Sequence, residues 1–243
     1  MKRGEYQRLA AVEERGWWFR GLHDNLIRAW RGTRCNESGA VLFDAGCGTG
    51  GLLARLARAA PHARCYGLEL DPLAAATARA KSGAAIVAGS ILAPPIAPRS
   101  CDAIFSADVL CHRGVEPKAA LAALAPCLKR GGVLLLNLPA YRWLFSGHDR
   151  AVDNVRRFGA GELRVLLAEA GFAAIRIGYW NSLLLPLMAA QRVLHRGAHS
   201  DVAFLPPPVE RLFGAILRLE ARLAACGLRL PFGGSILATA VKP

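Results

Sequence analysis

The 243-residue sequence predicts an α/β fold, a doubly wound sheet of about seven strands flanked by helices. Three observations predict it. Short apolar runs alternate with helical segments from Val41 to Leu138, the first run ends in a glycine-rich turn that opens a helix, and the run Val133–Leu138 is apolar as a central parallel strand is.

The first forty residues read as amphipathic helix, with Trp17, Trp18 and Phe19 in a row followed by Leu22, Leu26 and Ile27. Gly32–Gly39 breaks it. Val41–Ala45 is the first strand, Leu52–Ala60 a helix stopped by Pro61, and Ala63–Leu70 the second strand. Asp71 is the expected N-cap of a helix with Pro72 in its first turn, which runs to about Lys81 and ends at Gly83. Ala85–Ala88 is a brief third strand, and the proline-rich Ala93–Pro98 leaves little room for a helix after it. Ala103–Ala107 is the fourth strand, Lys118–Lys129 a helix closed by Gly131–Gly132, and Val133–Leu138 the fifth strand. Ala140–Gly159 is a loop rich in aromatic, Arg, His and Asp residues. Helix Gly161–Ala170 and strand Ala173–Tyr179 follow, then about fifty mostly helical residues split by Pro206–Pro208, and a last strand at Ser235–Val241.

Composition narrows the class. With 53% apolar residues the chain can bury one sizeable core and is short for two. Seven cysteines, an odd number with no CxxC pair, point to a reducing cytosol and to no structural zinc. The formal charge is +13, carried mostly by scattered arginines with no basic run interleaved with aromatics. That argues against a nucleic-acid surface and leaves RNA, an anionic membrane and acidic metabolites as partners that charge alone does not separate. The charged start, Met1 to Glu14, lacks the apolar stretch of a signal peptide, and the run Leu183–Ala190 is far short of a membrane span. The expected localisation is cytoplasmic.

The segment Phe43-Asp44-Ala45-Gly46-Cys47-Gly48-Thr49-Gly50 carries the chemistry. Gly46 and Gly48 let the backbone turn sharply and approach a ligand, and the following helix offers free N–H groups. Gly46, Gly48 and Gly51 also satisfy the dinucleotide fingerprint GxGxxG, with an acid at a suitable distance. Against that reading stand Asp44 two residues before the first glycine, the second-strand ending Gly67-Leu68-Glu69-Leu70-Asp71-Pro72, and the lack of a Tyr-x-x-x-Lys hydride-transfer pair.

From Val41 to about Leu138 the chain resembles the class I S-adenosylmethionine-dependent methyltransferases, in their small-molecule and quinone-type branch. The resemblance implies a Rossmann-like sheet whose last strand is antiparallel, and S-adenosylmethionine as cofactor. It implies that Asp44, Gly46, Cys47 and Gly48 hold the methionine end, that Glu69 with Leu70 takes the ribose hydroxyls, and that Ser90 and Ile91 lie by the adenine. Ser90 stands where the family usually has an acid. Ser106 and Asp108 leave the fourth strand beside the methyl donor, and Asp108 with His112 is similar to the Glu-Val-Leu-Glu-His segment of relatives in quinone biosynthesis. The Asn/Asp-Pro-Pro-aromatic motif of DNA amino-methyltransferases is absent after the fourth strand.

The organisation expected is one domain, 1–243, divided into an N-terminal helical lid (1–38), a cofactor-binding core (40–180), a helical cap insert (181–233) and the last strand (234–243). Trp18 belongs to the lid and is a candidate substrate contact. The loop after the fifth strand supplies Tyr141, Trp143 and Arg156 as further substrate candidates, with Arg157 beside Arg156 and His148 as the base with Asp149 as its neighbour. The insert is apolar through Leu183–Met188, then basic through Gln191–Arg196, and fits a cap over a hydrophobic acceptor, a peripheral membrane contact or a homodimer interface. The function expected is methyl transfer to a small, apolar or amphipathic, even lipid-like acceptor, at oxygen before nitrogen or carbon. A non-catalytic regulator on the same fold, an RNA methyltransferase and a nicotinamide-dependent oxidoreductase are the rival readings.

Overall fold

The computed structural model describes residues 3–194, 205–228 and 230–243. Its strands are β1 (Val41–Ala45), β2 (Arg64–Glu69), β3 (Ala85–Ala88), β4 (Cys101–Ala107), β5 (Leu128–Pro139), β6 (Ala173–Trp180) and β7 (Ser235–Val241). They form one sheet in the order β3-β2-β1-β4-β5-β7-β6, parallel throughout except for β7, which runs antiparallel to both neighbours. The helices are α1 (Arg3–Val12), α2 (Trp17–Arg31), α3 (Gly51–Ala59), α4 (Pro72–Ser82), α5 (Pro117–Leu124), α6 (Gly147–Ala151), α7 (Ala160–Glu169), α8 (Leu185–Leu194) and α9 (Pro207–Ala225).

Alternation along each strand feeds two cores, one on each face of the sheet. Phe43, Ile104, Leu134 and Leu136 point to the face covered by Leu121 and Leu124 of α5 and Leu163 and Leu167 of α7. Leu42, Phe105 and Leu135 point to the other, covered by Leu22 and Leu26 of α2, Leu52 and Leu56 of α3 and Leu217 of α9. This two-sided burial is why β4 and β5 lack the polar alternation of an exposed sheet.

Local chemistry sets the helix ends. Asp71 accepts hydrogen bonds from Leu73 N and Ala74 N, both at 2.9 Å, and Gly83 ends α4 in the left-handed conformation, as the sequence predicts. Two expectations need correction. The helix expected through Lys129 stops at Leu124, because Pro126 directs the chain into a short 3-10 turn and then into β5, which begins at Leu128. The N-terminal segment is two helices, not one, and Gly16 precedes α2 with φ −59° and ψ 135°, outside helical geometry. His195 and Arg196 of the basic part of the insert lie outside the described residues.

Candidate functional site

Strand order reverses between β1 and β4, and the glycine turn after β1 lies at the carboxyl edge there, where open α/β sheets take their ligands. Gly46 N and Cys47 N both donate to Leu68 O, at 2.8 and 2.9 Å, which ties the turn to β2. Gly46 has φ +89°, and a Cβ there would stand 2.4 Å from Val109 Cγ2. Gly50, also at φ +89°, lets α3 approach α4 so closely that a Cβ would sit 2.7 Å from Ala78 Cα.

Three carboxylates surround this turn. Asp44, on β1, is 2% exposed, and its Oδ1 has no hydrogen-bond partner. Burial, and then the negative charges of Glu69 and Glu13, push its carboxyl up to about 8. Glu69 ends β2; its Oε2 accepts from Gly48 N at 2.9 Å, and its Oε1 accepts from Tyr6 Oη at 2.8 Å and Asp71 N at 3.1 Å. Glu13 accepts from the Thr49 hydroxyl and pairs with Lys81. Its carboxyl lies against the first turn of α3, 2.7 Å from where a Cβ on Gly51 would stand.

The element covering the turn is therefore α1 with the residues just after it, not the Trp17-Trp18-Phe19 segment. Leu9 of α1 lies over Gly48, 3.3 Å from a Cβ placed there. Trp18 is corrected from lid to core: it packs 5.9 Å from Trp180 and 5.0 Å from Phe19, against the core under α2.

Along the same edge, Ser106 Oγ donates to Ala45 O at 2.9 Å, locking β4 to β1. Asp108 follows with φ +55°, a costly backbone for a non-glycine residue. Asn137 Nδ2 reaches both of its carboxylate oxygens, at 3.0 and 3.2 Å, and Trp180 Nε1 donates to Asn137 Oδ1 at 2.7 Å. Burial pushes the Asp108 carboxyl up to about 7 against the pull of Asn137 and Arg157. His112 Nδ1 is buried with no hydrogen-bond partner, and burial lowers the imidazole's pKa from its ordinary value. Ser90 Oγ accepts from Leu92 N at 3.2 Å, Ile91 packs into the core, and Leu70 is 70% exposed beside Glu69.

The segment after β5 is fastened to the loop after β4 through Arg113 N to Asp153 O at 3.0 Å and Val155 N to Cys111 O at 2.9 Å. Tyr141 stacks on Tyr179, with centroids 5.3 Å apart, and on Trp143 at 5.8 Å. Asp149 is fully buried and accepts from Ser146 N at 2.9 Å, from Arg157 Nη2 at 2.9 Å and from Arg192 Nη1 at 3.3 Å. Burial alone would raise its carboxyl; Arg157, Ser146 and Arg192 outweigh that and hold it below the usual range. Asp149 thus anchors the segment and is corrected from its place as the partner of a base. His148 is half-buried on α6. Arg157 is equally committed, donating to Ala140 O at 3.0 Å, and Arg156 donates to Val115 O at 2.9 Å.

Sequence reasoning missed Tyr6, Glu13 and Asn137 as parts of the site. Asn137 had a legible signal, being the one polar side chain within Val133–Leu138. Tyr6 and Glu13 reach the site across 63 and 36 residues of chain, and no local spacing announces them. Among the described residues no group of His, Cys, Asp and Glu could hold a metal ion.

Residues 43–136 match the family described as methyltransferase domain. A search of curated protein sequences finds no match. A solved S-adenosylmethionine-dependent methyltransferase from Thermotoga maritima is 18% identical, over 99% of this chain and 95% of that one, with a TM-score of 0.63. Geranyl diphosphate C-methyltransferase from Streptomyces coelicolor is 16% identical over 91% of this chain and 78% of its own, with a TM-score of 0.60. Phosphoethanolamine N-methyltransferase 2 from Haemonchus contortus, 16% identical and with a TM-score of 0.62, is matched over 91% of this chain and 52% of its own. At such identities these three show a shared fold.

Proposed function

We propose that this chain is a class I S-adenosylmethionine-dependent methyltransferase that methylates a small, apolar or amphipathic acceptor at a hydroxyl oxygen, a reading supported by the methyltransferase-domain match over residues 43–136. S-adenosylmethionine carries a sulfonium and an ammonium, and when bound it supplies an electrophilic methyl group on a good leaving group.

The observation that carries the reading is the unpartnered, buried Oδ1 of Asp44 within a cluster of three carboxylates. An orphan buried acceptor is costly unless a ligand satisfies it, and a cation is the ligand that this cluster suits. Asp44 would take the ammonium, the cradle of Gly46, Cys47 and Gly48 the methionine chain, and Glu69 the ribose. The first turn of α3, where a dinucleotide would seat its pyrophosphate, already holds the Glu13 carboxylate, and that disfavours the nicotinamide reading.

Methyl transfer needs alignment and exclusion of water before it needs a base. Leu9 and α1 cover the turn, and the stacked Tyr141, Tyr179 and Trp143 offer an aromatic surface after β5. For a hydroxyl acceptor the proton goes to Asp108 rather than His148. Asp108 stands at the end of β4, its carboxyl pushed up to about 7 and held in place by Asn137.

The test is a mass-spectrometric screen of phenolic and lipid-like hydroxyl acceptors with the cofactor. Once an acceptor turns over, Asp108→Asn is expected to lower kcat by about 100-fold or more with cofactor affinity retained. His148→Ala is expected to leave kcat within a few-fold. The reverse pattern moves the base to His148.

A further inference from the structure

A cavity of about 440 Å³ opens between α2 and α9, away from the glycine turn. Arg15, Arg20, Arg28, Arg211 and Arg218 line it, and all five are exposed. Its two carboxylates are already taken. Asp24 pairs with Arg55, and Glu210 accepts from Trp17 N at 2.9 Å and Leu205 N at 3.0 Å. Among the described residues, five guanidiniums face the groove against these two carboxylates, so its lining is net positive.

The apolar neighbour of this groove is α9 itself. At 100° per residue, Arg211, Arg218 and Arg222 fall on one exposed stripe of the helix, and Leu212 and Leu219 on the adjacent one. These two leucines are 57% and 50% exposed, while Leu217 and Phe213 turn inward against α2. The apolar surface continues past α9. Glu220 Oε2 accepts from Ser182 N and Leu183 N, at 2.8 and 3.1 Å, and Ser182 Oγ bonds to Phe232 O, which places the exposed Leu183 and Phe232 beside the helix.

We propose that the α2–α9 groove and the leucine stripe of α9 dock this protein on an anionic phospholipid surface, the arginines taking phosphates and the leucines entering the headgroup layer. An exposed helix with an arginine face beside a leucine face has the amphipathic pattern of an interfacial helix. Anionic lipid supplies the complementary charge for a chain of net +13. A free phosphate would need no leucines. Single-stranded RNA would need bases to stack, but Trp17, the aromatic lining the groove, is packed edge-on against Phe213 at 5.1 Å. A second copy across a twofold axis would face arginines with arginines.

Sedimentation of the full chain with vesicles tests this without cofactor or acceptor, so its failure is separable from failure of the methyltransferase reading. Vesicles of phosphatidylcholine mixed with phosphatidylglycerol are expected to bind about ten-fold or more tighter than phosphatidylcholine alone, and less at high salt. The double variant Arg211→Glu/Arg218→Glu is expected to lose about 25-fold or more of that binding, at roughly five-fold per arginine, with an unchanged thermal melt. Leu212→Ser/Leu219→Ser should release the vesicles while leaving inorganic phosphate binding intact. Equal binding to both vesicle types, retained binding by the charge-reversal variant, or preference for an RNA oligonucleotide over anionic vesicles would overturn the proposal.

Discussion

Asp44 carries the site's largest cost and its clearest test. Its carboxyl is raised from 3.8 to about 8 in the folded chain, so the folded state binds the proton more tightly. Stability therefore falls as pH rises between those two values and levels off above the upper one. Asp44→Asn removes that penalty. The variant is expected to be more stable at pH 7 by on the order of 2 kcal/mol, and to lose S-adenosylmethionine affinity by about 100-fold, as melting curves and calorimetry would show. A variant that melts lower would mean the carboxylate is paired in a way the structure does not show. Tyr6 supplies a second test. Glu69 Oε1 has both lone pairs engaged by Tyr6 and Asp71 N, and Oε2 has one engaged by Gly48 N. On the proposed assignment of the ribose diol to Glu69, the diol needs the place that Tyr6 holds, so Tyr6→Phe should tighten cofactor binding by about three- to ten-fold, within the worth of one charged hydrogen bond. Weaker binding would make Tyr6 a cofactor contact instead.

Among elements, the segment after β5 is where sequence and structure part most. Its aromatic and charged composition reads as a substrate loop, and half of that chemistry is spent on fastening the loop itself. Asp149→Asn leaves Arg157, 4% exposed, without its counter-charge, and a loss of about 3–5 kcal/mol is expected by denaturant unfolding. Because the Asp149 carboxyl is held below its ordinary range, its contribution is present above about pH 4 and lost as pH falls further. Full stability with lost turnover would return Asp149 to a catalytic role. The strand positions, by contrast, were legible. β1, β3 and β7 have the bounds their apolar runs predict, because glycines flank β1 and β3 and precede β7. Which part of the N-terminal segment covers the turn was not legible, since α1 owes its place to Tyr6 and Glu13, whose partners are remote in sequence. Trp17, Trp18 and Phe19 looked like a lid for the same reason that they serve as core, which is that large aromatics suit both.

At the scale of the molecule, charge is arranged against the average. A chain of net +13 gathers three carboxylates around one turn at the sheet's switch point and collects five arginines against two carboxylates on the α2–α9 side. The first arrangement suits a cationic cofactor and the second an anionic surface. No described helix is long and apolar enough to cross a membrane. The S-adenosylmethionine site is the claim on which the rest of the functional account stands. Calorimetric titration of the purified chain with S-adenosylmethionine and, separately, with NADH tests it most directly. The account predicts saturable binding of S-adenosylmethionine, abolished by Glu69→Ala, and no heat from NADH. Binding of NADH with none of S-adenosylmethionine would contradict it.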